Sequence, residues 1–110
     1  MKIENHFING VPELLLLRLL SRQEMYGYEL VRTIRDQSKT SFSFGEGCIY
    51  PILHRLVKED QIHERLETVQ GRSRRYYRIS PKGRKQLERL QQRWEEVATA
   101  VNGIGALAYV

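Results

Sequence analysis

Two clusters of side chains could do chemistry, and both suit a polyanion. The first is Tyr50, His54, Arg55 and Lys58. At about 100° per residue, His54, Arg55 and Lys58 fall with Gly47 and Pro51 on one side of a helix, with Tyr50 on its flank. The second is Arg72-Ser73-Arg74-Arg75 between two stretches of strand character. Ammonium and guanidinium groups hold phosphate oxygens, and a guanidinium also forks onto guanine O6 and N7. Arg55 therefore suits a base edge or a phosphate, and Lys58 a phosphate. Three arginines at a hairpin tip suit a minor groove or a phosphate run. The Tyr50 ring could fill the edge of a core while its hydroxyl reaches a phosphate. Tyr26 and Gly27 open another helix, whose free N–H groups and dipole also attract phosphate. The structural alternatives are an ordinary polar helix face and a solvated hairpin.

The charge distribution favours the first view. The chain of 110 residues carries a net charge of +5. Nine of its 18 cations lie between Arg72 and Arg93, with Glu88 the one acid in that interval. Unbalanced like charge destabilises a compact state and usually meets a polyanion. Cys48 is the sole cysteine, so disulfides cannot staple the fold, and a reducing, cytoplasmic setting is expected. The longest apolar run, Leu14-Leu15-Leu16-Leu17, is too short to span a bilayer, so no membrane partner is expected. His6, His54, His63 and Cys48 have no metal-ligand spacing. Neither a phosphate loop, a nucleophile–base set nor a paired-carboxylate site stands out, so neither cofactor nor enzymatic activity is expected.

These clusters need elements to hold them. After a short lead anchored by Ile3, Phe7 and Ile8, Pro12 suits the first turn of a helix ending near Ser21. Val11, Leu14, Leu15, Leu17 and Leu20 would be its buried residues. A second helix is expected over 27–37, with Leu30, Val31 and Ile34 inward. A third, over 45–59, carries Ile49, Ile52, Leu53, Leu56 and Val57 as one apolar stripe opposite the polar cluster. Either Ser43, with capping-box spacing to Glu46, or Gly45 would begin it. Strands over 62–68 and 74–80 flank a turn at 69–73, with Tyr77 and Ile79 facing the core. Ser80 as N-cap and Pro81 at the first position open a last helix over 81–103. The pattern predicts a mainly α fold with a small β-wing: a winged helix-turn-helix over 1–80, and a C-terminal dimerisation helix and tail over 81–110, packed as one unit.

The last helix carries a narrow seam. Leu87, Leu90, Trp94, Val97, Val101 and Ile104 are spaced 3, 4, 3, 4, 3, as in a helix that meets another lengthwise. A domain this small gains from a second copy, so a homodimer is expected; packing on its own domain is the alternative. On a two-fold seam Trp94 would lie near its twin. Two indoles can clamp a planar aromatic guest, with Leu90, Val97, Val101, Leu14 and Leu17 lining the pocket. Plain packing of Trp94 is the competing account. A redox role for Cys48 would rest on a helix N-terminus alone, without a resolving cysteine.

Together these residues resemble the PadR-type transcriptional regulators, of the short kind with a single C-terminal helix. The marks are Tyr26-Gly27-Tyr28-Glu29-Leu30, the run from Gly45-Glu46-Gly47-Cys48-Ile49-Tyr50-Pro51 to Leu56, Gly71-Arg72-Ser73-Arg74-Arg75-Tyr76-Tyr77-Arg78-Ile79, and Lys82-Gly83. The resemblance implies a homodimeric winged-helix repressor that binds an inverted-repeat operator in double-stranded DNA and responds to a small aromatic or drug-like effector. It also implies that a tryptophan at the place of Trp94 clamps such a guest. Cys48 stands where the family usually has Thr, removing a hydroxyl near the backbone. Ser73 replaces a common Pro, which should loosen the wing turn. Two other functions fit much of the pattern: a winged-helix adaptor that binds protein, which would need no arginine tip, and an autoregulatory repressor without a ligand.

Overall fold

The structure, a computed structural model, describes residues 10–106. Ile3, Phe7, Ile8 and His6 lie outside the described residues, as does the end of the tail. The order is α1 (Val11–Leu20), β1 (Met25–Tyr26), α2 (Gly27–Gln37), α3 (Glu46–Lys58), β2 (Ile62–Val69), β3 (Arg72–Ile79) and α4 (Pro81–Gly103). The strands form one antiparallel sheet in the order β1-β3-β2. Four helices with a three-stranded wing make this a winged helix.

Helix α1 is more deeply buried than its pattern predicted. It packs against α2, β3 and α4 on different sides. Leu16 is therefore as fully enclosed as Leu17, although the one-stripe reading left it out. The core gathers Leu16, Leu17 and Leu20 of α1, Leu30 and Ile34 of α2, Ile49, Leu53 and Leu56 of α3, and Met25, Ile62 and Tyr77 of the sheet, with Phe44 from the loop before α3. Ile52 and Val57 pack against it half-buried. Tyr77 faces the core as expected, its hydroxyl proton held more tightly than usual, chiefly through burial.

The wing is longer and tighter than expected. Val69 pairs with Arg72, so only Gln70-Gly71 turn the chain. Their φ values of 51° and 77° are the left-handed pair that a two-residue hairpin demands. Ser73 accordingly lies in the ladder opposite Thr68 and not in the turn, so it does not loosen the turn. Arg74 and Arg75 face Glu67 and Leu66 along the strands, and Arg72 alone adjoins the tip. Strand β1 was missed because two residues are too few to show alternation; Met25 and Tyr26 pair with Tyr77 and Tyr76.

The wing base is tied to α4. The Ser80 hydroxyl accepts from the Gly83 N–H at 3.0 Å and donates to the Asp60 carbonyl at 2.6 Å. The Ser80 N–H donates to the Gln61 carbonyl at 3.0 Å. A Cβ on Gly83 would lie 2.0 Å from that carbonyl oxygen, so glycine is what lets α4 approach the turn after α3. Helix α4 then continues outward, and the molecule measures 63 Å along its longest axis. Arg18 of α1 donates to Gln91 Oε1 and fixes the near half of α4 against the domain. No helix among the described residues is long and apolar enough to cross a membrane.

Candidate nucleic-acid interface

The outer face of α3 is built by its first two turns. Gly45, with extended backbone, is the N-cap, and Ser43 makes no capping bond. Glu46 therefore opens the helix and places Pro51 inside it. Pro51 has no N–H for the Gly47 carbonyl four residues earlier. Nothing crowds Gly47, so this stretch of α3 offers open backbone to a ligand. With Ile49, Leu53 and Leu56 sealed inward, Tyr50, Pro51, His54, Arg55 and Lys58 line a shallow recess of ≈ 580 Å³. The expected outer-face residues are thus together.

Next to it, a second concavity of ≈ 400 Å³ joins three elements: Tyr26, Gly27 and Tyr28 at the start of α2, Tyr50 of α3, and Arg72, Ser73, Arg74 and Arg75 of β3. Tyr50 lines both recesses and makes them one surface. Its ring lies over Gly27: a Cβ there would come within 2.5 Å of Cε1 and 2.9 Å of the hydroxyl oxygen. Burial raises the Tyr50 phenol above its ordinary value, and the charge of Glu46 adds to this. Tyr50 is therefore a neutral hydroxyl at the meeting point of helix, helix end and wing. At the helix end, Glu29 Oε1 accepts from the Tyr26 N–H at 3.3 Å, while the next N–H groups of α2 have no intrahelical partners.

The wing arginines are not equivalent. The Arg74 guanidinium stacks over the Tyr26 ring at 4.7 Å, and Tyr26 meets Tyr76 edge-on at 5.6 Å. Arg65 covers Tyr76 at 4.6 Å and is fixed by Glu24 at 3.0 Å and by Glu67 at 3.1 Å. Arg75, on the opposite face, pairs with Glu64 at 3.7 Å. Arg72 has no ion pair among the described residues, nor does Lys58 of α3.

Several expectations change. The three arginines do not crowd a tip but line a strand, because the turn needs only two residues. Arg55 is not a free cation: its Nη2 lies 3.2 Å from Glu13 Oε2 and its Nη1 3.0 Å from Glu59 Oε1. Leu14 and Leu17, expected to line a pocket beside Trp94, are enclosed within the protomer because α1 is packed on several sides. The seam divides. Leu87 and Leu90 pack half-buried on the chain's own core, whereas Trp94, Val97, Val101 and Ile104 are 47%, 50%, 64% and 82% exposed. Tyr28, absent from the expected site, lines the second concavity and is itself covered by Arg32 at 5.6 Å. Its place one residue past Gly27 at a helix start was the available signal. Glu24 and Arg65 gave none, because their partnership depends on the unforeseen β1 edge. No group of His, Cys, Asp and Glu among the described residues could hold a metal ion.

The comparisons with known proteins agree with this architecture. The profile of the transcriptional regulator PadR-like family matches residues 16–89. A transcriptional regulator of Mycobacterium tuberculosis is 31% identical over 97 residues, covering 88% of each chain. A PadR-like transcriptional regulator of Bacillus cereus has 37% identity and a TM-score of 0.80, over 94% of this chain and 100% of that one. A transcriptional regulator of Clostridium thermocellum has a TM-score of 0.86 at 28% identity, over 94% and 98%. On the joined surface of α2, α3 and the wing, and on these matches, the chain belongs to the PadR-like family and is a DNA-binding transcriptional regulator.

Proposed function

We propose that this regulator is a cytoplasmic homodimeric repressor of an inverted-repeat operator. Helix α3 enters a major groove through Gly47, Tyr50, Pro51, His54, Arg55 and Lys58. The start of α2, with Tyr26 and Gly27, and the β3 residues Arg72, Ser73, Arg74 and Arg75 hold the adjoining backbone or minor groove. The observation that carries this is the continuity of the two concavities through Tyr50. The second copy covers the distal apolar stripe of α4, from Trp94 to Ile104, and two-fold symmetry sets the half-sites about one helical turn apart. Trp94, exposed at mid-helix, stacks a planar aromatic effector against its twin in this reading. Such an effector acts only if it binds two dimer shapes with different affinity.

A gel-shift salt series on the protein's own promoter and on random duplex tests the operator reading. Arg72→Ala with Arg74→Ala should make the log–log slope shallower by about 1.8, near 0.9 for each lost phosphate contact. Equal affinity for promoter and random duplex at every salt concentration would refute it, and would favour an adaptor. A repressor without a ligand differs at Trp94. Planar dyes that quench the single tryptophan should lose affinity for Trp94→Ala if the clamp exists, and keep it if it does not.

A further inference from the structure

Arg55 is the most prominent cation on the outer face of α3, and the structure surrounds it with acid. One oxygen of Glu13, in the first turn of α1, lies 3.2 Å from Nη2, and Glu59, one turn along α3, lies 3.0 Å from Nη1. Glu13 is mostly enclosed, and its other oxygen is buried without a donor. Arg55 is therefore that carboxylate's one partner among the described residues. Glu59 is exposed and also accepts from Gln61 Nε2 at 2.9 Å. One guanidinium between two carboxylates gives the cluster a net charge of −1.

We infer that Glu13 is a positioning residue that determines what Arg55 reads: together with Glu59 it cancels the guanidinium charge, leaving Arg55 a hydrogen-bond donor to base edges and not a phosphate anchor. The inference rests on the proposed entry of α3 into DNA and sharpens it. Phosphate binding gains from a net cation that displaces a counterion. A cluster with an excess carboxylate displaces none and repels the backbone. Guanine O6 and N7 are neutral acceptors, and a guanidinium has five N–H donors, of which the two acids engage two. The rest of the fork remains available on the half-exposed side of the residue. Lys58, without an ion pair among the described residues, is then the phosphate anchor of this face. Placed on α1, away from the DNA-facing elements, Glu13 trades affinity for discrimination.

The test uses the full-length protein, its operator duplex and a random duplex of equal length, titrated from 50 to 200 mM salt. Glu13→Gln keeps an acceptor for Arg55 but releases its charge. That brings the cluster from −1 to 0 and should tighten binding to random duplex by relieving repulsion; Glu13→Gln with Glu59→Gln brings it to +1 and should also steepen the slope by about 0.9, roughly 3- to 4-fold across that range. The operator-to-random ratio should fall at the same time. Arg55→Ala should leave the random-duplex slope unchanged while lowering the ratio by roughly 5- to 150-fold, the range for one bidentate base contact. Lys58→Ala should flatten the slope by about 0.9. Glu59→Gln alone releases one charge at a solvent-facing position, and a lower operator-to-random ratio with it decides the matter if Glu13→Gln does not fold. Loss of packing would weaken binding without steepening the slope. An Arg55→Ala variant that flattens the slope as Lys58→Ala does overturns the inference. So do charge-release variants with unchanged slope and ratio, and in both cases the operator reading survives. A wild type that does not prefer its operator overturns both.

Discussion

Replacing Gly83 with Ala sets two physical effects against each other, and the structure decides the sign. Gly83 is the third residue of α4. On helix propensity alone, alanine should stabilise the protein by up to ~1 kcal/mol. The new Cβ, however, would lie 2.0 Å from the Gln61 carbonyl oxygen, 2.8 Å from Ile79 Cγ1 and 3.0 Å from the Gln61 carbonyl carbon. Ordinary contact begins near 3.4 Å, so the backbone of the α3–β2 turn must retreat by about 1.4 Å. That carbonyl accepts from the Ser80 N–H, and the Ser80 hydroxyl holds the neighbouring Asp60 carbonyl. Overpacking of this kind costs ~1–3 kcal/mol. The strained hydrogen bond adds ~0.5–1.5 kcal/mol. Against the propensity gain, a net destabilisation of ~1–3 kcal/mol remains. For a domain near this size it lowers Tm by roughly 5–20 °C. Thermal unfolding by circular dichroism reads it, with Lys82→Ala and Arg84→Ala, both exposed, as neutral controls. A Gly83→Ala protein that melts at or above the wild-type temperature would refute the account of why glycine stands there.

Gly27→Ala should act on function more than on stability, because the obstructing atoms belong to the Tyr50 ring and not to backbone. Operator affinity should fall by an order of magnitude or so, while the cost in Tm stays within that of ~1–2 kcal/mol; unchanged affinity refutes it. Glu24 has its carboxyl held below the ordinary 4.5, above all by hydrogen bonds from Arg65. Its contribution is complete above the unfolded value and is lost as pH falls through the lowered folded value. The Tm gap between wild type and Glu24→Gln should therefore hold from neutral pH down to about the ordinary 4.5 and narrow as pH falls below it, and a constant gap rejects the pairing. Val97→Glu puts a charge on the exposed stripe of α4 and should shift sedimentation equilibrium toward monomer without lowering helix content; an intact dimer at micromolar concentration counts against the stripe as interface.

The helices were legible because their signals are local. Leu30, Val31 and Ile34 repeat at helical spacing, Ser80-Pro81 marks a start, and the alternation around Tyr77 marks a strand. What escaped depends on neighbours distant in the chain. Leu16 is buried because α2, β3 and α4 all pack on α1. Strand β1 exists only through its pairing with β3, and the Arg65–Glu24 contact follows from that edge. The turn was drawn too long because Arg72 and Ser73 look like turn residues, whereas the positive φ at Gln70 shows that the two-residue loop is complete without them. Leu87 and Leu90 share spacing with Trp94 and Val97, but only the first pair lies where α4 still runs along the domain.

Charge shows the difference most sharply. The sequence counts cations, whereas a phosphate backbone responds to cations without acids beside them. Two of the arginines the sequence singles out turn out to be partnered, Arg55 by Glu13 and Glu59 and Arg75 by Glu64, as is Arg65, by Glu24 and Glu67. Pairs of this kind, most of them exposed, add little to stability. Their consequence here is directional. They lower the field where a guanidinium should read shape or base edges, and leave it at Arg72, Arg74 and Lys58, on the wing and on α3. On the proposed reading, cations without acids beside them hold the backbone while the compensated arginine does not bind every duplex equally well. If Arg55 reads bases as proposed, discrimination between operator and random DNA comes as much from the acids as from the arginines.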